Sequence, residues 1–286
     1  MSASQTNSFV KTLSLTGLAL IAFAANSVLC RSALGQASID AASFTTIRLV
    51  SGIIGLWVIR VTQNSKNRST NYGSWQAAVM LFLYAGAFSF AYISLETGTG
   101  ALILFAAVQL TMILFALFKG ERLGIIAWSG ILIAFSGFVY LIFPGVSTPS
   151  FTGFLLMTIA GVAWGFYTIL GKGSVHPLAD TTLNFTRTLP FILVMIIFSF
   201  PFSELSTKGI VLAALSGAIA SGLGYTIWYT ALKGLSAAQA AVVQLLVPVI
   251  AAAGGVVFIS EVITFRLVIS AVMILGGVTL VLKWQN

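Results

Sequence analysis

Long apolar runs separated by short polar stretches fill this chain from Leu13 to Lys283. Within a run, hydrophobic residues follow one another without alternation, which argues against β-barrel strands and for helices that are apolar all round. A membrane helix needs about 20 such residues. On that length the pattern predicts ten crossings: roughly 13–34, 41–60, 75–95, 99–118 and 124–143, then roughly 152–171, 181–200, 209–232, 237–259 and 264–283. Pro144, Ser147, Thr148, Pro149 and Ser150 punctuate the middle.

The five runs of the first half recur in order in the second. The first reads Gly17-Leu18-Ala19-Leu20 and ends Ala33-Leu34-Gly35; the sixth reads Gly153-Phe154-Leu155-Leu156 and ends Ile169-Leu170-Gly171. The second and seventh each carry one arginine, Arg48 and Arg187, and the fourth and ninth each end on a glutamate, Glu121 and Glu261. A block with an odd number of crossings ends on the side opposite to its start, so the second copy lies upside down. The expected fold is an all-α integral membrane protein: ten transmembrane helices in two inverted five-helix repeats, 1–145 and 146–286, around a central cavity. Many secondary transporters follow this plan, with cargo bound near the bilayer midplane.

Composition supports the membrane reading. The chain is 58% hydrophobic and 7% charged, with mean hydropathy +1.05, whereas soluble domains carry about 25% charged residues. The net charge of +8 does not point to nucleic acid, because the basic residues sit mainly in short loops. With a cytoplasmic N-terminus, Lys11, Arg60, Lys66, Arg68, Lys119, Arg122, Lys172, Lys233 and Lys283 fall inside. Lys208, Arg31 and Arg266 fall at the outer side, so the bias obeys the positive-inside rule and places both termini in the cytoplasm. Lys11 and Ala22-Phe23-Ala24 mimic a signal peptide, but the apolar run continues to Leu34, longer than a signal core. One cysteine, Cys30, and one histidine, His176, leave no intramolecular disulfide and little material for a zinc, haem or triad site; no metal and no cofactor are expected. No Gly-rich nucleotide loop occurs either.

The acidic residues Asp40, Glu96, Glu121, Asp180, Glu204 and Glu261 all fall at or near helix ends. No buried carboxylate therefore offers a proton relay, and facilitated export or exchange is favoured. Arg48 and Arg187 lie well inside crossings, at a cost of at least about 2.5 kcal/mol for a central charge. They read either as carboxylate binders or, preferentially, with Glu121 and Glu261 as gates or helix ties near opposite faces. Buried amides must find partners: Asn26, Gln109, Gln239 and Gln244 serve cargo or a helix interface. Gln244 is the strongest of these, since Pro248 four residues on frees its carbonyl. Tyr84, Phe88 and Tyr92 share a helical face, and with Trp164, Tyr167, Tyr225, Trp228 and Tyr229 they line a cavity or pack a core. Trp75 and Trp284 sit at helix ends, as an interfacial belt requires. Gly161-x-x-x-Gly165 and Ser216-x-x-x-Ala220-x-x-x-Gly224 allow close helix approach, and Gly222, Gly224 and Pro248 are candidate hinges.

At these landmarks the chain resembles the drug/metabolite transporter superfamily in its EamA-type branch. The matching stretches are Ala42-Ser43-Phe44-Thr45-Thr46-Ile47-Arg48, Gly120-Glu121-Arg122-Leu123, Gly161-Val162-Ala163-Trp164-Gly165-Phe166-Tyr167, and Pro248 followed by Ser260-Glu261. Asn26 to Gly35 further resembles the YddG-type amino-acid exporters of bacterial inner membranes. The first half lacks a counterpart of Pro248, having Val108-Gln109 near there. The resemblance implies a cavity built by helices one, three, four, six, eight and nine. It also implies alternating-access export, without chemistry, of aromatic and other neutral amino acids such as methionine or threonine, by a chain that could act as a monomer in the lipid bilayer. A sugar-phosphate or nucleotide-sugar carrier would want more basic residues deep in the helices. A lipid-modifying membrane enzyme would have little beyond Asp180 and His176 to work with.

Overall fold

The computed structural model describes residues 3–62, 73–120, 124–143, 149–199, 205–235, 240 and 243–283. Glu121, Gln239, Glu204 and Trp284 lie outside them. All ten crossings are helical. Eight are long enough to span a bilayer: Val10–Leu34, Ala41–Thr62, Trp75–Tyr92, Thr97–Phe118, Ile125–Ile142, Phe151–Gly171, Pro177–Ser199 and Thr207–Gly234. The ninth and tenth are shorter apolar helices, Val247–Ile259 and Phe265–Val281. Helices satisfy their own backbone groups, which hydrocarbon demands. Their open ends are capped by side chains: Ser74, Ser150 and Ser206 accept from the backbone N–H groups of Ala77, Gly153 and Gly209. Each serine thereby satisfies a donor that the first turn leaves orphaned.

Three crossings depart from the expected single helices. The seventh begins at Pro177 and breaks into Pro177–Thr186 and Leu189–Ser199. Pro190, second residue of the latter piece, has no N–H to give the preceding turn, which is the physical cause of the break. The eighth contains a π-helical stretch, Ser216–Leu223. The ninth is helical at Ala240, Val243 and Gln244, is interrupted at Leu245 and Leu246, and resumes as Val247–Ile259 with Pro248 in the first turn, where a missing N–H costs nothing. Pro248 therefore starts the second piece instead of bending a continuous helix, and the chain turns at Leu245 and Leu246, with the Leu246 N–H bonded to the Val243 carbonyl.

The contacts carry the inverted repeat. The third crossing packs on the sixth, and the eighth on the first; the fourth packs on the sixth, and the ninth on the first. The fifth pairs with the tenth, the fourth with the ninth and the second with the seventh. Exchanging every crossing with the one five places later maps these contacts onto one another, whereas the extensive packing of the second on the eighth has only a weak counterpart between the third and seventh. Glycines set the closest approaches. A methyl on Gly161 would lie 2.5 Å from Ala107 Cβ, and one on Gly165 2.9 Å from Thr111 Cβ. That is the close face expected of Gly161-x-x-x-Gly165.

The loops gather at two faces. One holds Arg31, Glu96, Lys208, Glu261 and the bridge between Ile39 and Leu205; it is called the Glu261 face below. The opposite, Asp180 face is knit by the Asp180 carboxylate, which accepts from the Gly73 N–H (2.7 Å) and the Ser174 hydroxyl. Asn184 Oδ1 accepts from the Ser74 N–H there at 2.8 Å. Asp180 is thus engaged in holding loops together.

Candidate functional site

An aromatic column runs through the middle of the molecule. From the Glu261 face inward, Tyr92 meets Phe88 (4.8 Å between ring centroids), Phe88 meets Tyr84 (5.3 Å), and Tyr84 meets Trp164 (4.9 Å). The column continues from Trp164 to Tyr167, stacked at 5.3 Å, and from Tyr167 to Tyr229 at 6.4 Å toward the Asp180 face. The spacing of four residues between Tyr84, Phe88 and Tyr92 puts all three on one helical face, as read from sequence. At mid-column, Asn26, Tyr84, Phe88, Trp164 and Tyr225 enclose a cavity of about 10 Å³ together with Phe23, Leu104 and Phe105. That is room for at most one water. The site is closed at both ends by rings.

These walls come from the first, third, fourth, sixth and eighth crossings, five of the six helices that the resemblance implied. Three lining residues escaped the sequence reading. Phe23 had a signal available, because it lies three residues before Asn26 and so shares its face; it touches Trp164, Tyr225 and Trp228 at 6.0, 5.9 and 5.7 Å. Leu104 and Phe105 sit in a uniformly apolar helix where no pattern singles them out. A larger groove of about 510 Å³ between Phe82, Ile159 and Phe191 is apolar and lies on the circumference, where exposed leucines, isoleucines and phenylalanines face the lipid.

A polar cluster adjoins the cavity. Arg48, 1% exposed, donates from Nε to the Ser221 hydroxyl (3.2 Å) and from one terminal nitrogen to Tyr84 (3.0 Å) and Tyr225 (3.2 Å). Its guanidinium lies 5.1 and 4.9 Å from the ring centres of Tyr84 and Phe88. Asn26 donates to the Tyr84 hydroxyl (3.1 Å) and accepts from Ser216 (2.5 Å). The π-helical stretch explains why both serines reach the cluster. Residues five apart lie nearly one above the other when bonds run from i to i+5, whereas an α-helix sends them to different sides. The small-residue stripe from Ser216 to Gly224 is accordingly rewound: Gly217, not Gly224, makes the closest approach, where an added methyl would fall on the Arg48 carbonyl.

Residues 151–283 match the EamA-like transporter family. An uncharacterised protein of Pseudomonas aeruginosa is 47% identical over 95% of this chain and 94% of its own length. The chain belongs to the EamA-like transporter family. This EamA-type chain is also 18% identical to the uncharacterised transporter YoaV of Bacillus subtilis, over 82% of this chain and 85% of that one. An uncharacterised transporter of Archaeoglobus fulgidus is 27% identical over 66% of this chain and 69% of its own. A solved crystal structure superposes with a TM-score of 0.62 at 18% identity, over 92% of this chain and 95% of that chain, a likeness of fold. The protein is a multi-pass membrane transporter of small metabolites.

The remaining candidates of this EamA-type transporter lie around the column. Gln109 is buried and engaged in the fourth crossing, outside the cavity wall. Gln244 is buried, with Nε2 bonded to the Ala240 carbonyl at 3.2 Å, and is separated from the Val247–Ile259 piece by the turn; it does not line the cavity. Gly222 and Gly224 flank the end of the π-helical stretch, Gly222 facing Gly52 and Leu56 and Gly224 facing Ala22. Arg187 caps the first piece of the seventh crossing, 6.0 Å over the Trp75 ring near the Asp180 face. Arg48 and Arg187, read from sequence as a matched pair, thus occupy different settings. Arg48 reaches hydroxyl groups at the centre and not a helix-end glutamate.

Glu261 forms a closure with a residue that the sequence reading left among the loop charges. Arg31 Nε donates to Glu261 at 3.2 Å, and an Arg31 terminal nitrogen donates to the carbonyls of Tyr92 and Ile93, each at 3.1 Å. Both Glu261 oxygens accept from the Thr97 N–H, at 3.1 and 2.9 Å. Ser260, left-handed at φ 60°, ends the ninth helix, and the Glu261 N–H returns to the Gly255 carbonyl. That turn swings the carboxylate back over the helix end. Glu96 stands beside it, and burial, then the Glu261 charge, raise the Glu96 carboxyl above its ordinary value against the pull of Arg31.

Proposed function

We propose that this transporter exports amino acids, aromatic ones and other neutral ones such as methionine or threonine, across the bacterial inner membrane by alternating access. In this reading the Asp180 face and both termini are cytoplasmic, and the Glu261 face looks outward. The observation that carries it is the central cavity, walled by aromatic rings from both halves and shut toward each face. Such a wall accepts an apolar or aromatic side chain, and Asn26 with the Tyr84 and Tyr225 hydroxyls offers it polar company. Cargo would enter when one half rocks away from the other, parting Gly73 from Asp180 on one side or Arg31 from Glu261 on the other. Among the described residues, no carboxylate lines the cavity, which favours movement down a gradient.

The test is efflux of labelled phenylalanine, methionine and threonine from liposomes containing the purified protein, with and without an imposed pH gradient. Efflux without a gradient, strongly reduced by Trp164→Ala, is the expected result. No movement of any amino acid in either direction would refute the reading.

A further inference from the structure

The hydrogen-bond accounts of the central cluster do not balance. Arg48, Asn26 and Tyr225 all direct donors at the Tyr84 hydroxyl, whose oxygen has only two lone pairs. The other terminal nitrogen of Arg48 is buried with no acceptor. The side-chain oxygen of Asn26 is already taken by Ser216. Arg48 forms no ion pair among the described residues, and its hydrogen-bond partners are the neutral hydroxyls of Ser221, Tyr84 and Tyr225. The cluster is therefore rich in donors, short of acceptors, and positively charged inside a low-dielectric core. An unpaired buried charge of this kind is costly.

A carboxylate corrects every one of these faults. It is acceptor-only, with about four lone-pair sites, and matches the planar fork of a guanidinium. An ammonium group corrects none: it brings more donors, needs acceptors that are already used, and carries the same sign as Arg48. We infer that Arg48 is the carboxylate anchor of the central site, and that cargo is recognised by its carboxylate and apolar body, with the amino group dispensable. This rests on reading the aromatic cavity as the cargo site. It extends the cargo class to small monocarboxylates that lack an amine and excludes amines that lack a carboxylate. Arg48 stands behind the rings of Tyr84 and Phe88, so the anchor is reached as those rings part.

Binding to the purified wild-type protein, measured by titration calorimetry, tests this with four probes of one body: phenylalanine, its methyl ester, 3-phenylpropanoate and 2-phenylethylamine. The expected result is 3-phenylpropanoate within roughly tenfold of phenylalanine, and 2-phenylethylamine weaker by about 100-fold or more, as loss of a charged hydrogen-bonded partner implies. Arg48→Lys should retain the preference for the acid in weakened form, and Arg48→Gln should lose it. The ligand series on wild type decides the matter even where a variant fails to fold. If 2-phenylethylamine or phenylalanine methyl ester binds as well as phenylalanine, the anchor is overturned while amino-acid transport stands. If 3-phenylpropanoate binds and no amino acid is bound or moved, the anchor stands and the amino-acid reading falls. If no probe binds, both fall.

Discussion

Neutralising Glu261 should unlatch one face of the transporter. Its carboxylate joins three crossings at once: the ninth, which carries it, the first through Arg31 and the fourth through the Thr97 N–H. Arg31 adds the third through two carbonyls. Glu261→Gln keeps an acceptor for Thr97 but removes the charge. A charge-assisted hydrogen bond contributes about 1.5–3 kcal/mol. The side chains of Arg31 and Glu261 are 20% and 12% exposed, so solvent screening takes some of that away. A loss of about 2 kcal/mol follows, which at about 1.4 kcal/mol per decade raises the open population roughly 30-fold. The reporter is already present. Cys30 is the chain's one cysteine, fully buried, and adjoins Arg31. A membrane-impermeant maleimide applied from the Glu261 face should label Cys30 slowly in wild type and roughly 30 times faster in the variant, because labelling tracks the open fraction. Equal rates in the two proteins, or a gain only from the Asp180 face, would refute the argument.

Other perturbations have equally definite outcomes. Tyr84→Phe strips the shared acceptor from Asn26, Arg48 and Tyr225 and should destabilise by about 1–3 kcal/mol; Tyr225→Phe, which costs Arg48 a single acceptor, should shift thermal unfolding less. Gly217→Ala places a methyl on the Arg48 carbonyl, where backbone cannot yield, so its cost should exceed the about 1–3 kcal/mol of ordinary overpacking and show as a collapsed yield of folded protein. Glu96, raised by burial and by Glu261, holds its proton more tightly folded than unfolded. Its contribution to stability is full below the ordinary carboxylate value and is lost as pH rises through the raised one. The thermal unfolding midpoint of wild type should therefore fall as pH rises through the mildly acidic range, and Glu96→Gln should flatten that slope.

Much of this molecule is legible in its sequence, and the reasons for success and failure are physical. Apolar runs long enough to span a bilayer specify helices because lipid leaves the backbone no alternative. The odd count within each half specifies inversion. The stripe Tyr84, Phe88, Tyr92 is visible because helical spacing alone brings it together. Arg48 was harder to place. Its position along the helix suggested a tie near one end, but a long side chain reaches along the helix, and where it ends depends on Ser221 and Tyr225, 173 and 177 residues later. Those partners in turn depend on a π-helical stretch that Ser216–Leu223 do not announce. The break at Pro190 is readable, since a proline interrupts an apolar run; Pro248 marks an interruption in the same way, but its place at Leu245 and Leu246 is not announced by any turn-forming residue.

Inversion makes a transporter's two half-cycles mirror images only if the halves are alike. Here they differ at matched positions. The third crossing is a regular α-helix while the eighth is rewound across Ser216–Leu223, and the second is continuous while the seventh is broken at Arg187 and Thr188. In the proposed alternating-access cycle, the rocking motion would therefore meet unequal stiffness in its two directions. Equilibrium still forbids a passive carrier from accumulating cargo on one side. It does not require equal half-saturation concentrations on the two sides, provided that turnover compensates. Under the proposed passive cycle, such a carrier can respond steeply to cargo from one compartment while remaining nearly indifferent to the other, and helix winding then sets the direction in which it works best.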